Sequence, residues 1–208
     1  MAELGPAAWP PDPIRTERLV LRESEARDRG AFIELFASPE VNTYLGGARP
    51  RDDLERAVPE VPRRRPGLFV VDLGGAMIGM VTFDRRDAER PGHVRPAARE
   101  AELGYLFLPE VWGCGYAAEA CGAALNWFAG ALPGEPVVLC TQTANERAVR
   151  LAAKRCVSRF LRQVVQGFIE STDDSGRVSV SSGLLIQTVA GRAGGSGCLR
   201  TNRSGLRA

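Results

Sequence analysis

The stretch Glu100–Leu108 (EAELGYLFL) is rich in strand formers and stops at Pro109. It is followed by WGCGYAAEA and then by small and apolar residues as far as Ala131. A second short apolar run, PVVLCTQT, begins at Pro136. Strand, glycine-bearing loop, helix and buried strand in that order leave little topological freedom. The helix must cross over the sheet, and the two strands must lie parallel. A mixed α/β fold follows, and its sharpest feature is the entry to the helix through two glycines one residue apart.

The rest of the chain fits around this unit. RLVLR at 18–22 alternates like a half-buried strand, and ARDRGAFIELFASPEV then places Phe32, Leu35 and Phe36 on one helical face. Runs at 67–73 and 77–83 are separated by Gly74-Gly75, a hairpin signal. Residues 50–66 mix Arg, Pro and acids and read as a flap or short helix, and 86–99 as a loop. A further helix is expected from about Thr143, where Thr143-x-x-Glu146 has capping-box spacing. Val149, Ala152, Cys156, Phe160, Val164 and Phe168 recur every three or four residues, so this helix is expected to continue toward Gln166. RVSVSS and GLLIQTVA have strand character, whereas 191–208 reads as disordered. The expected organisation is an extension over 1–13, one domain over 14–170 and an atypical, largely disordered tail over 171–208.

A helix entered through a tight glycine loop presents backbone N–H groups that lack partners, and the helix dipole adds positive charge there. Gly113 and Gly115 permit backbone conformations and close approach that a Cβ would block, so the amides of residues 113–118 can cradle a pyrophosphate. A plain tight turn before a helix explains the same glycines. The Walker pattern fails for want of Gly-Lys-Ser/Thr, and Gly113-x-Gly115-x-x-Ala118 matches the dinucleotide fingerprint only loosely. Four residues separate strand from glycines, and the next strand ends in Thr141-Gln142-Thr143 without the acid that holds a ribose.

Composition excludes other chemistries. At 208 residues, 44% hydrophobic and 25% charged, the chain is long enough for one domain with a true core. The five cysteines form no Cys-x-x-Cys pair, and His93 is the only histidine, which argues against a metal site or a histidine triad. The net charge of +2 includes four arginines in 191–208 with no acid, so the remainder is near −2 (+2 − 4). A nucleic-acid binder needs a basic face on its folded part, and none is expected. No stretch approaches the roughly 20 apolar residues of a membrane span. The first residues have neither the basic nor the apolar region of a secretion signal, so a cytoplasmic location is expected. All basic residues but Lys154 are arginine, a bias that points to a GC-rich bacterial genome.

ELGYLFLPEVWGCGYAAEA, the strand after it and TQTANERAVRLAAK together resemble the GNAT superfamily of acetyl-CoA-dependent N-acetyltransferases. The likeness is to the branch that acetylates ribosomal-protein N-termini and related amines. TERLVLRESEARDRGAFIELFASPEVNTYLGG resembles the opening of the same branch, so the likeness covers 14–154. It implies a central, mostly antiparallel sheet flanked by helices, with one parallel pair that splays apart. It also implies transfer of acetyl from acetyl-CoA to a primary amine, with no metal, by a monomer or homodimer. The family loop pattern falls on Trp112, Gly113, Cys114, Gly115, Tyr116 and Ala117, and with Ala118 these would hold the coenzyme pyrophosphate. Trp112 departs from the family's Gln/Arg. Leu106, Phe107 and Leu108 are the positions at which the splayed strand pairs with the pantetheine arm. Asn145 matches an Asn that contacts the same arm, although helix capping explains it equally.

Similarity puts the general base at Glu102, with Glu100 on the same face as the alternative. Tyr116 is the candidate proton donor, against a packing role. Ala148 replaces a family Ser, and Cys114 lacks a histidine partner for covalent chemistry. A base matters most for a lysine-like amine, whose pKa near 10.4 leaves about a thousandth neutral at physiological pH. After Lys154 the family continues with Leu-Gly-Phe and two sheet-closing strands, but this chain has Arg155-Cys156-Val157. A frame change near codon 155 is the hypothesis that would account for that, and loss of the two strands would expose a sheet edge. The competing functional reading is a catalytically impaired acyl-CoA-binding or interaction module.

Overall fold

The computed structural model describes Leu4 and residues 9–86, 99–155, 161–172 and 178–189. Its strands are β1 (Ile14–Arg15), β2 (Val20–Arg22), β3 (Leu68–Leu73), β4 (Ala76–Arg85), β5 (Ala101–Phe107), β6 (Pro136–Gln142), β7 (Leu161–Thr172) and β8 (Val178–Val189). Its helices are α1 (Arg29–Ala37), α2 (Pro39–Asn42), α3 (Arg51–Ala57), α4 (Tyr116–Ala131) and α5 (Glu146–Arg155). The strands form one sheet in the order β1-β2-β3-β4-β5-β6-β8-β7. Every neighbouring pair is antiparallel except β5 with β6. The mixed α/β fold with one parallel pair expected from the strand–loop–helix–strand unit is present.

Alternation explains how the sheet serves two sides. On the α4 side, Leu19, Leu21, Phe69, Val71, Val81, Phe83, Leu103 and Phe107 join Ala120, Cys121, Ala124 and Phe128 of α4 in one buried cluster. The small residues of α4 let the helix axis approach the sheet, and Phe128 then stacks 4.8 Å from Phe83. Trp9, Phe69 and Trp127 close the same cluster edge to face, with centroids 5.0–5.9 Å apart. The other side is smaller: Phe32 and Leu35 of α1 pack on Leu68, Val70 and Met77. Beside it, Arg22 bridges Asp28 and Asp72 at 2.7–2.9 Å, which ties β2 and β3 to the start of α1.

Three expectations change. The capping box at Thr143 is replaced by Asn145, whose Oδ1 accepts from the Ala148 amide at 3.1 Å and so starts α5. The helix also ends at Arg155 and does not reach Gln166, because Leu161–Thr172 is strand β7. The apolar pattern there includes Val164, Val165 and Ile169, whose branching suits a strand, and a bulge between Val165 and Ile169 absorbs the mismatch with period two. Finally, the β6 edge is not left open. β8 pairs with it from Pro136↔Val189 to Gln142↔Gly183.

Candidate functional site

The parallel ladder between β5 and β6 is confined to Ala101↔Val137 and Glu102↔Val138 among the described residues, after which the strands part. The bonds Arg86 N–H to Glu100 O and Leu108 N–H to Ile78 O, each 3.0 Å, set the register with β4. Backbone groups of Glu102, Gly104, Leu106 and Leu108 therefore turn toward β4, and those of Leu103, Tyr105 and Phe107 turn toward the opening. Of the three expected coenzyme positions, Phe107 alone presents its backbone to the wedge. Leu106 and Leu108 present side chains on the α1 side, where both pack against the smaller apolar cluster.

The loop at the mouth of the wedge is built from local constraints. Pro109–Val111 makes one 3₁₀ turn, and the Trp112 indole N–H donates to Phe107 O at 2.8 Å. Gly113 and Gly115 both have left-handed backbones, with φ of 84° and 83°, a region that disfavours any Cβ. A Cβ on Gly113 would meet no atom within 4 Å, so conformation and an open approach, not packing, explain this glycine. Glu119 N–H donates to Gly115 O at 3.1 Å as the first bond of α4. The amides of Tyr116, Ala117 and Ala118 precede it and have no acceptor within the helix. A set of such amides at the positive end of a sixteen-residue helix, beside the open approach at Gly113, suits a pyrophosphate.

An acid in the first turn helps the helix dipole, but Glu119 also sets negative charge beside the cradle. The fold cancels it. The Arg18 guanidinium lies 2.6 Å from Glu119 Oε2, Thr16 Oγ1 donates to Oε1 at 2.6 Å, and the Arg18 amide donates to Oε1 at 3.0 Å. Burial pushes the Glu119 carboxyl up, and the Thr16 and Arg18 hydrogen bonds more than offset this, so it sits below its ordinary value. Arg18 also donates to Cys114 O at 3.1 Å and lies 4.5 Å over the Tyr116 ring. It thus holds the loop and the helix start together. On the opposite flank, the Arg147 guanidinium sits 4.7 Å over Trp112. Arg18 and Thr16 lie about a hundred residues from Glu119, and no local pattern in the sequence announces the contact. Cys114 is exposed.

Glu102 lies at the root of the wedge on the α1 side, directly opposite Asp84 of β4. Its side chain is 24% exposed, whereas Glu100 is buried at 2%. Glu102 is thus the one of the two that a substrate can reach. Arg86 Nη1 donates to Glu102 Oε2 at 3.1 Å and also to Cys140 Sγ. Desolvation, with the Glu102 charge adding to it, pushes the Cys140 thiol up to about 12. Gly104, next on the same face of β5, has no room for a side chain, since a Cβ there would lie 2.7 Å from Thr82 Oγ1. Further along β6, Gln142 Nε2 donates to Tyr44 O at 3.3 Å, which brings the loop after α2 to the same opening. Among the described residues, no group of three or more His, Cys, Asp or Glu could hold a metal ion, and no helix is long and apolar enough to cross a membrane.

Known proteins share this fold. The chain is 28% identical over 146 residues to YkkB of Bacillus subtilis (strain 168), an uncharacterized protein, covering 67% of this chain and 81% of that one. It is also 28% identical over 147 residues to the uncharacterized N-acetyltransferase YoaA of the same organism, covering 68% and 80%. Among solved structures, a GNAT-family acetyltransferase from Bacillus anthracis superposes with a TM-score of 0.61 at 18% identity, over 86% of this chain and 98% of that one. The spermidine N-acetyltransferase of Vibrio cholerae, solved with CoA and spermine, gives 0.60 at 18% identity over 84% and 97%. The family model of the GNAT acetyltransferase domain matches residues 18–155, a span that holds the loop, the wedge and Glu102. With more than half of its residues matched by that model, this chain belongs to the GNAT acetyltransferase family.

Proposed function

We propose that the chain transfers acetyl from acetyl-CoA to a primary amine by direct attack. The observation that carries this reading is the pair of left-handed glycines, Gly113 and Gly115, at the start of α4 and at the mouth of the parting strands β5 and β6. The amides of residues 113–118 bind the pyrophosphate, and Trp112 contributes backbone and holds Phe107 O in place. The Phe107 backbone meets the pantetheine arm, the Leu106 and Leu108 side chains line the α1 side, and the Asn145 amide nitrogen reaches the arm while its oxygen caps α5. The coenzyme supplies an activated acetyl thioester. Glu102 receives the proton that the amine must lose, and Tyr116 is the candidate donor to the departing sulfur.

The acceptor enters from the α1 side, past the loop after α2. The Vibrio cholerae neighbour was solved with spermine, and a Salmonella typhimurium neighbour modifies the N-terminal serine of a ribosomal protein. A small polyamine and a protein N-terminus are therefore the acceptor classes to try first. We place the reaction in a bacterial cytoplasm. A binding module that consumes nothing is the second reading. It is favoured by one fact: the family match stops at Arg155, ahead of β7 and β8.

Release of free CoA from acetyl-CoA against a panel of amines decides between the two. We expect release with at least one amine, and a fall in kcat of about 100-fold in Glu102→Gln, the size of effect a positioned base supplies. Binding of acetyl-CoA with no release from any amine sinks the catalytic reading. An unchanged kcat in Glu102→Gln removes the base from it.

A further inference from the structure

The geometry points to Arg86 as the positioning residue for the Glu102 carboxylate, completing with Cys140 a three-membered clamp at the point where β5 and β6 part. This rests on the reading of Glu102 as the base. Arg86 directly follows β4, Glu102 is the second residue of β5, and Cys140 lies on β6, so the clamp joins the end of β4 to the two strands whose separation makes the wedge. The burial is asymmetric. The Arg86 side chain is 1% exposed and that of Glu102 is 24% exposed, so the cation is sunk in the sheet and the carboxylate shows itself to the opening. One guanidinium nitrogen, Nη1, reaches both Glu102 Oε2 and Cys140 Sγ.

Cys140 sharpens the effect. With its thiol held far above neutral pH by burial, it accepts from Arg86 as neutral sulfur and does not compete for the positive charge. The charge is needed there. Among the described residues, Glu102 faces Asp84 from β4, and Glu100 lies two residues before it, just ahead of β5. Asp84 is itself paired with Arg65 at 2.6 Å, and Tyr44 approaches from the loop after α2 through its backbone. Without Arg86, Glu102 loses that cation while Asp84 still faces it from β4 and Glu100 still precedes it. A carboxylate so placed takes up a proton at higher pH and stops acting as a base.

The test is the pH profile of kcat/KM for the best acceptor amine, in wild type, Glu102→Gln, Arg86→Gln and Arg86→Lys. Glu102→Gln is expected to abolish the acidic limb. If it does not, Glu102 is not the base and the underlying reading fails, not merely the clamp. With that limb assigned, Arg86→Gln is expected to move it upward by about 1–3 pH units, with the KM for acetyl-CoA unchanged within a factor of about two. A limb that stays in place in folded Arg86→Gln overturns the clamp. Should that variant fail to fold, Arg86→Lys decides. Its ammonium sits on a shorter stem without the planar fork, so it does not reproduce the position of Nη1, and kcat should fall several-fold while the charge keeps the limb within about half a unit of wild type. An Arg86→Lys enzyme with wild-type kcat overturns the proposal.

Discussion

The two faces of the sheet are made of different material. On the α4 side an apolar cluster of aliphatic and aromatic residues presses the helix onto β3–β5, and what the helix offers a ligand is backbone: amides, a dipole and two glycines. On the α1 side the apolar cluster is smaller, and charged side chains, Arg65, Asp84, Arg86 and Glu102, run along the strands toward the opening. On the proposed function, one face grips through main-chain geometry and the other works through side-chain chemistry. Substitutions should therefore separate cleanly, with coenzyme binding sensitive to backbone strain and turnover sensitive to charge.

The largest expected effect is structural. Phe83 is fully buried between Trp127 and Phe128, and Phe83→Ala should cost about 3–5 kcal/mol in denaturant unfolding. A loss below about 1 kcal/mol would mean that the α4 face is not the packed half. Next is Gly115→Val, which forces a branched side chain into a left-handed backbone. Its nearest obstacle, Arg18 Nη2, lies 3.6 Å from the position of a new Cβ, so strain and not collision is the cause. Strain of about 1–3 kcal/mol predicts a rise of roughly tenfold or more in the KM for acetyl-CoA with kcat little changed. A variant that keeps KM but loses kcat would break the division of labour.

Smaller effects depend on pH. Because Glu119 sits below its ordinary value of 4.5 in the fold, its contribution to stability is complete above that value and is lost as pH falls through the lower folded one. Glu119→Gln should lower Tm by a few degrees at pH 7, and the gap from wild type should close in acid. A gap that persists undiminished at low pH assigns the loss to shape and not to charge. For Cys140 the sign is reversed. A thiol raised from 9.0 to about 12 is stabilising below 9, and that contribution fades as pH rises toward 12. Unfolding followed from pH 8 to 10.5 should show a downward slope in wild type that is shallower in Cys140→Ser. Equal slopes would contradict a buried, neutral thiol.

Much of this was legible from local pattern. Gly74 and Gly75 both adopt left-handed backbones at the tip of the β3–β4 hairpin, and Pro109 marks the end of β5, so both boundaries follow from the chemistry of single residues. The glycine loop could be read as an anion cradle because helix geometry alone leaves those amides unmatched. What stayed hidden depends on long-range contact. The Arg18–Glu119 pair joins residues a hundred positions apart, and Arg86 takes its meaning from β5 and β6. Asn145 capped α5 in place of Thr143 because both have capping chemistry, and only the exit path of β6 chooses between them. The apolar spacing after Lys154 was ambiguous between helix and strand, and pairing with β8 resolved it toward strand. That segment also lies past the end of the family match at Arg155. If a frame change produced it, another frame of the gene downstream of codon 155 will encode a Gly-Phe-bearing strand pair, and finding none in any frame removes that explanation.

The central claim is that main-chain amides at the start of α4 hold a diphosphate. Calorimetric titration of the chain with acetyl-CoA and with acetyl-pantetheine, which lacks the nucleotide and its diphosphate, tests it directly. The account predicts that acetyl-CoA binds at least about tenfold more tightly, a difference of about 1.4 kcal/mol, and that Gly115→Val removes most of this advantage. Equal affinities for the two ligands, or no heat from acetyl-CoA, would contradict it.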